Sequence, residues 1–139
     1  MLTENDVVDA VCGHLRASGH AIAQQLGTTA KGIDIIATHP NRSGRLLIEA
    51  KGGTSARVGS PRYGLGFNEN QVFDRVGKGF FTAACMYTQY REEGDHVGLA
   101  FPDTPLFRKY LKMVKAITDA LAITVYLVED TPRRAVTIG

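Results

Sequence analysis

Several features that mark specialised classes of protein are scarce or missing in this chain of 139 residues. It has two cysteines, Cys12 and Cys85, which argues against a disulfide-stabilised secreted scaffold and favours a reducing compartment. No apolar run approaches the roughly 20 residues that a membrane-spanning helix needs. No basic region followed by an apolar one marks a secretory signal at Met1 to Val8. We therefore expect a cytoplasmic protein that makes no use of a membrane.

The charge balance is also close to neutral. Sixteen Lys and Arg residues against 14 Asp and Glu residues give a net charge of +2, and no block of five like charges occurs. This bias is too weak to indicate a polyanionic partner from total charge alone. Since 44% of the residues are hydrophobic and 22% are charged, the composition is that of a globular protein. The length predicts a single domain over residues 1–139.

What the sequence does contain is an alternation of helical and extended patterns. Helices are predicted over residues 3–18, 71–91 and 105–119, with strands over 21–26, 33–38, 46–51, 96–101 and 123–128. Residues 52–70 form a long glycine-rich loop between strand and helix. This order predicts an α/β fold with a central mixed β-sheet flanked by helices.

The two middle strands carry charged residues where apolar ones are expected. If their hairpin is symmetric about the Asn41/Arg42 bond, Asp34 lies opposite Glu49, and Lys51 shares their face. The other face would then hold Ile33, Ile35, Leu46, Ile48 and Ala50. Two opposed carboxylates about 5 Å apart repel each other. A positive group must therefore lie between Asp34 and Glu49.

A divalent cation meets this requirement. Mg²⁺ prefers carboxylate and carbonyl oxygens, keeps several waters and stabilises charge that develops on a phosphoryl group. Lys51 would lie close to one of those waters and orient it. The alternative is that Lys51 only forms an ion pair with Asp34 and Glu49 at the edge of the sheet.

The same residues resemble a known signature. The segments Gly32-Ile33-Asp34-Ile35-Ile36-Ala37 and Leu47-Ile48-Glu49-Ala50-Lys51 are similar to the D…(D/E)xK motif of the PD-(D/E)xK, or restriction-endonuclease-like, nuclease superfamily. Ile33 stands where the proline of that name would be. The order of elements is also similar to that of small Holliday-junction resolvases and restriction-type members.

This resemblance implies an αβββαβ core, metal-dependent hydrolysis of phosphodiester bonds in DNA, and a role for each motif residue. Asp34 and Glu49 would bind Mg²⁺, for which Mn²⁺ is expected to substitute, and the Ala50 carbonyl would be a further ligand. Lys51 would be the catalytic lysine. Many members have another acid on the first helix. Glu4 is the match here, as a further metal ligand, because its helical phase follows the apolar stripe of Val8, Val11 and Leu15.

Basic and polar residues near this motif are candidates for binding nucleic acid. Gln71, Arg75 and Lys78 share a helix face opposite the apolar stripe, and some family members have a glutamine at the position of Gln71. Arg57 and Arg62, in the long loop, would reach the phosphate backbone from the other side.

The leading hypothesis is a DNA endonuclease that works as a homodimer, since one site per chain suits a two-fold enzyme that cuts both strands. The alternative is a nucleic-acid-binding or assembly domain that keeps the fold without catalysis. The sequence does not specify the form of the substrate.

Overall fold

A mixed β-sheet with helices on both faces forms the centre of the molecule. The computed structural model describes residues 1–54 and 66–139. The helices in this part of the chain are α1 (Glu4–Ala17), α2 (Glu69–Tyr90), α3 (Pro105–Met113) and α4 (Lys115–Ala120). The strands are β1 (Ala21–Gln25), β2 (Ile35–His39), β3 (Arg42–Ala50), β4 (His96–Pro102), β5 (Thr124–Val128) and β6 (Val136–Ile138). The predicted α/β class is thus confirmed for the described residues.

The strands lie in the sheet in chain order, from β1 to β6. The pairs β1–β2, β2–β3 and β5–β6 are antiparallel, whereas β3–β4 and β4–β5 are parallel. Parallel neighbours need crossover connections, and these are right-handed in nearly all proteins. Because both crossovers advance in the same direction, α2 and α3 pack on the same face of the sheet, and α1 covers the other.

Helix α1 begins where the sequence predicts it. The hydroxyl of Thr3 accepts a hydrogen bond from the Asp6 N–H at 3.1 Å, and the Asp6 carboxylate accepts one from the Thr3 N–H at 2.9 Å. This reciprocal capping box satisfies two backbone donors that a helix start otherwise leaves unpaired. Its buried side includes the predicted Val8, Val11 and Leu15.

Two predicted elements need correction, and one strand was not predicted. The helix predicted over 105–119 is two helices, because Val114 leaves helical geometry at φ −112°, and Ile117 in the second of them is 49% exposed. Strand β3 begins at Arg42 rather than Leu46, since the turn comprises only Pro40 and Asn41. The short edge strand β6 has too few residues to show a periodic pattern, and the sequence did not predict it.

None of the helices in residues 1–54 and 66–139 combines the length and hydropathy that crossing a membrane requires.

Candidate functional site

The hairpin of β2 and β3 has the predicted register. Ile35 pairs with Ile48, Ile36 with Leu47 and Ala37 with Leu46, and an irregularity before His39 then shifts the pairing on β3, so that His39 pairs with Arg42 at the turn. Extending this ladder by one residue places Asp34, just before β2, opposite Glu49 near the end of β3. The two acids are therefore neighbours across this hairpin.

The predicted division of faces is mostly confirmed. Ile36 and Leu47 pack toward α2, and the side chains of Ile35, Leu46, Ile48 and Ala50 pack toward α1. The prediction for Ile33 is wrong, because it packs with the α2 side. Ile33 precedes β2, so strand alternation does not apply to it.

Asp34 is a buried acid held by backbone groups. It is 7% exposed, and its Oδ2 accepts a hydrogen bond from the Ala50 N–H at 2.8 Å. The next N–H along, that of Lys51, points the other way and donates to the Ala100 carbonyl at 3.0 Å. The Asp34 carboxylate therefore takes the position where a β2 carbonyl would otherwise continue the ladder with β3.

Glu49 lies beside this carboxylate and is half-buried. Burial, followed by a hydrogen bond to the Asp34 side chain and the charge of Asp34, raises the pKa of Glu49 to about 8, against an opposing effect of Lys51. Two like charges in a poorly solvated site favour protonation of one of them. Glu49 thus holds a proton at neutral pH, and a cation that displaced this proton would find two carboxylates in place.

Glu4 reaches the same site because the chain after Lys51 packs against the start of α1. The Gly53 N–H donates to the Leu2 carbonyl at 2.8 Å, and a Cβ on Gly52 would lie 2.3 Å from the Glu4 nitrogen. Only glycine fits this approach. Glu4 is half-buried, and its pKa is raised by burial and then by the charge of Asp34, whereas Lys51 lowers it.

The Gly52-Gly53 pair is a functional feature that the sequence interpretation missed. It directly follows Lys51 in the chain, and paired glycines mark a place where two backbones approach closely. That signal was available, but the identity of the approaching segment was not.

Lys51 and Arg75 supply positive charge near the carboxylates. Lys51 is half-buried and lines an open cleft of about 460 Å³ together with residues of α2, among them Lys78. Arg75 stacks on the Phe67 ring at 5.1 Å and lowers the pKa of Glu4, so its guanidinium lies close to the site.

The three residues of the predicted polar face of α2, Gln71, Arg75 and Lys78, have different environments. The Gln71 side-chain oxygen accepts the Asn68 N–H at 2.8 Å and so belongs to the capping box of α2. Lys78 is exposed and pairs with Asp74 at 3.1 Å. Arg75 alone of the three has an environment shaped by the acidic site. Arg57 and Arg62 lie outside the described residues.

The oxygen donors suit a hard divalent cation with few protein ligands. N–H and C=O of one residue point to the same side of a strand, so the Ala50 carbonyl faces the same side as its N–H, toward Asp34. Among the described residues, no group of three or more His, Cys, Asp or Glu side chains is close enough to hold a metal. Glu4 thus does not complete a preformed three-acid cluster. The set of Asp34, Glu49 and one carbonyl fits Mg²⁺, which binds through one or two carboxylates and keeps its waters.

Comparisons of this chain with protein-family models, with curated proteins and with solved structures give no match.

Proposed function

We propose that this chain is a metal-dependent endonuclease that hydrolyses phosphodiester bonds in DNA and has a restriction-endonuclease-like fold. The observation that carries the proposal is the contact between the Asp34 and Glu49 carboxyl groups at the end of β3, with Lys51 two residues after Glu49. Opposed acids in a poorly solvated position destabilise a protein unless they bind something. A structural role alone does not account for both acids.

The arrangement of elements supports the same proposal. Helix α1, the antiparallel strands β1 to β3, helix α2 and the parallel strand β4 follow one another in the order αβββαβ. In this order, Asp34 of the motif that resembles the PD-(D/E)xK signature lies just before β2, Glu49 lies near the end of β3, and Lys51 directly follows β3. Motif and topology are independent features, and both agree with the nuclease superfamily.

Each residue of the site has a proposed role. Asp34, Glu49 and the Ala50 carbonyl would hold Mg²⁺ or Mn²⁺, which when bound polarises a phosphoryl oxygen and stabilises the charge that develops in hydrolysis. Lys51 orients the attacking water through its ammonium group. Arg75 donates hydrogen bonds to a phosphate oxygen and thereby positions the DNA strand. Glu4 accepts hydrogen bonds from water in the site.

A cleavage assay tests the proposal. Plasmid, linear duplex, single-stranded and four-way-junction DNA are incubated with Mg²⁺ or Mn²⁺ and with the wild type, Glu49→Gln, Lys51→Met or Glu92→Gln. Glu92 is exposed and lies just beyond α2, so its substitution is the matched control. We expect cleavage to fall at least 100-fold in the first two variants and to be unchanged in the control. Full activity of Glu49→Gln would refute the assignment.

The alternative is a domain that binds nucleic acid without cutting it. It is favoured by the lack, within the described residues, of a metal-holding group of three acids or other ligands. The same panel of DNA discriminates, because this domain would bind DNA with no cleavage in either metal.

We further propose that the active form is a homodimer with two-fold symmetry. One carboxylate pair per chain can cut one strand, and a two-fold pair of sites faces both strands of a duplex. Molar mass from light scattering should equal that of two chains, and a monomer that cuts both strands would contradict the proposal.

A further inference from the structure

A small cavity lies at the end of the sheet opposite to Asp34 and Glu49. Its volume is about 90 Å³, and it lies where β3, β4 and β5 begin. The ionisable side chains that line it are those of His20, His39, Arg42, Arg45, His96 and Tyr126. None of the described lining residues is acidic. Since Arg42 and Glu49 are seven residues apart on one strand, the cavity and the proposed nuclease site are separated by about 23 Å.

Tyr126 brings a buried hydroxyl to this cavity. The residue is 5% exposed, and within residues 1–54 and 66–139 its hydroxyl has no hydrogen-bond partner. The ring lies over Gly98, where an added Cβ would be 3.1 Å from ring atom Cε2, so the backbone leaves room for the ring at this position. Buried hydroxyls are almost always hydrogen-bonded. The hydroxyl of Tyr126 therefore indicates a partner that occupies the cavity.

Arg42 is the cation that is free to meet such a partner. Its guanidinium forms no ion pair with any described residue, whereas Arg45 is bound by Asp95 at 2.7 Å. Burial raises the pKa of Tyr126 and lowers that of His20, and the charge of Arg42 acts to lower both pKa values, so the guanidinium lies near both side chains.

The hydrogen bonds of His39 and His20 show which ring nitrogen of each donates and which is already engaged. The Asn41 N–H donates to His39 Nδ1 at 3.1 Å, so His39 carries its proton on Nε2 and donates it to the Ser18 carbonyl at 3.2 Å. His20 Nδ1 donates to the Leu15 carbonyl at 3.3 Å. Both nitrogens of His39 are thus engaged, whereas the Nε2 of His20 has no partner among the described residues.

We propose that this cavity binds one tetrahedral oxyanion, a phosphate or sulfate group, with the Tyr126 hydroxyl and the Arg42 guanidinium as hydrogen-bond donors. The volume equals that of about three waters, which is room for one four-oxygen anion. A cation is disfavoured by the charge of Arg42, which pairs with no carboxylate of the described residues. Protonated His20 adds a third donor through Nε2.

Binding should strengthen at low pH. Burial and the neighbouring His39, Arg42 and His14 lower the pKa of His20, so the ring is neutral at pH 8. The charge of Arg45 is offset by its ion pairs with Asp95 and Glu93, and neither of these acids is among the described residues that line the cavity. An anion favours the charged ring, so the bound anion and the proton on His20 stabilise each other.

Calorimetric titration with sodium sulfate at fixed ionic strength tests the proposal, since sulfate keeps the same charge between pH 6 and 8. Arg42→Gln and Tyr126→Phe are compared with wild type, and Arg16→Gln, an exposed arginine on α1, is the matched control. We expect each cavity variant to weaken binding at least tenfold and the control to leave it unchanged. Wild-type affinity should rise between pH 8 and pH 6, and His20→Gln should abolish that rise.

A second measurement keeps the test valid if a variant is damaged. In sulfate-free buffer Tyr126→Phe should melt at or above the wild-type temperature, because it removes a buried hydroxyl without a partner. If an oligonucleotide with a 5′-phosphate competes with sulfate and the same oligonucleotide without it does not, the anion that binds the cavity is a terminal phosphate of a nucleic acid. Competition by inorganic phosphate alone would identify the free anion. Equal affinity of wild type, Arg42→Gln and Tyr126→Phe for sulfate would overturn the proposal.

Discussion

Glu49 ties the chemistry of the site to the stability of the protein. Its pKa is raised from about 4.5 to about 8 by burial and by Asp34, so the folded chain holds this proton more tightly than the unfolded chain does. The metal-free protein should therefore lose stability as pH rises from 4.5 to 8, and above pH 8 the full penalty applies.

Glu49→Gln should remove this pH dependence. At pH 8.5 without metal the variant should be more stable than wild type by about 1–2 kcal/mol. This figure is smaller than the full pKa shift would give, because solvent screens the charge of the half-buried Glu49. At pH 4.5 the two proteins should be equally stable. Urea unfolding at both pH values measures the difference, and a variant that is less stable than wild type at pH 8.5 would show that the acids do not repel.

Gly52 allows a second prediction about a single residue. Gly52→Ala would place a Cβ 2.3 Å from the Glu4 nitrogen, and because this nitrogen belongs to the backbone, the start of α1 must shift. We expect a loss of about 1–3 kcal/mol and a movement of Glu4 away from Asp34.

Gly77→Ala is the matched control. Gly77 lies within α2, and an added Cβ there would meet nothing within 4 Å. This change should stabilise the helix by about 0.5–1 kcal/mol. If both alanine variants melt at the same temperature, the close approach of the two backbones is not required for folding.

At the scale of elements, the start of α2 allows a test of whether Gln71 caps the helix or contacts DNA. The structure gives it a capping role, with Asn68 as the reciprocal partner at 2.9 Å. Gln71→Glu keeps a capping box, whereas Gln71→Ala and Asn68→Ala each remove half of it, at a cost of about 1 kcal/mol. Thermal unfolding should therefore rank Gln71→Glu with wild type. If Gln71→Glu is as stable as wild type but no longer binds DNA, Gln71 also contacts the nucleic acid.

At the scale of the whole molecule, a divalent ion should stabilise the fold. Mg²⁺ or Mn²⁺ that binds only the folded chain adds about 1.4 kcal/mol at ten times its Kd. The effect should be larger at pH 8 than at pH 6, because the proton held by Glu49 competes with the metal. Thermal melting with millimolar metal measures it. Glu49→Gln should show no shift and Glu92→Gln a normal one, while an unchanged wild-type curve would favour Lys51 as a plain ion-pair partner.

The sequence by itself determined what depends on neighbouring residues or on a short repeat. The capping box of Thr3 and Asp6 requires a spacing of three residues, and the face on which Leu47 lies requires only the alternation of a strand. The hairpin register follows from a short connection, so the proximity of Asp34 and Glu49 was predictable from the chain alone.

Only the tertiary structure decided which distant segments meet. Glu4 lies near Asp34 because the Gly52 backbone docks on the start of α1, and on α2 the charge of Arg75 reaches Glu4 whereas Gln71 is engaged in the helix cap. The oxyanion cavity likewise gathers His20, Arg42 and Tyr126 from three strands or their ends. Contacts of this kind depend on how whole elements pack and on which side chains another partner has already engaged, and neither leaves a periodic signal in the sequence.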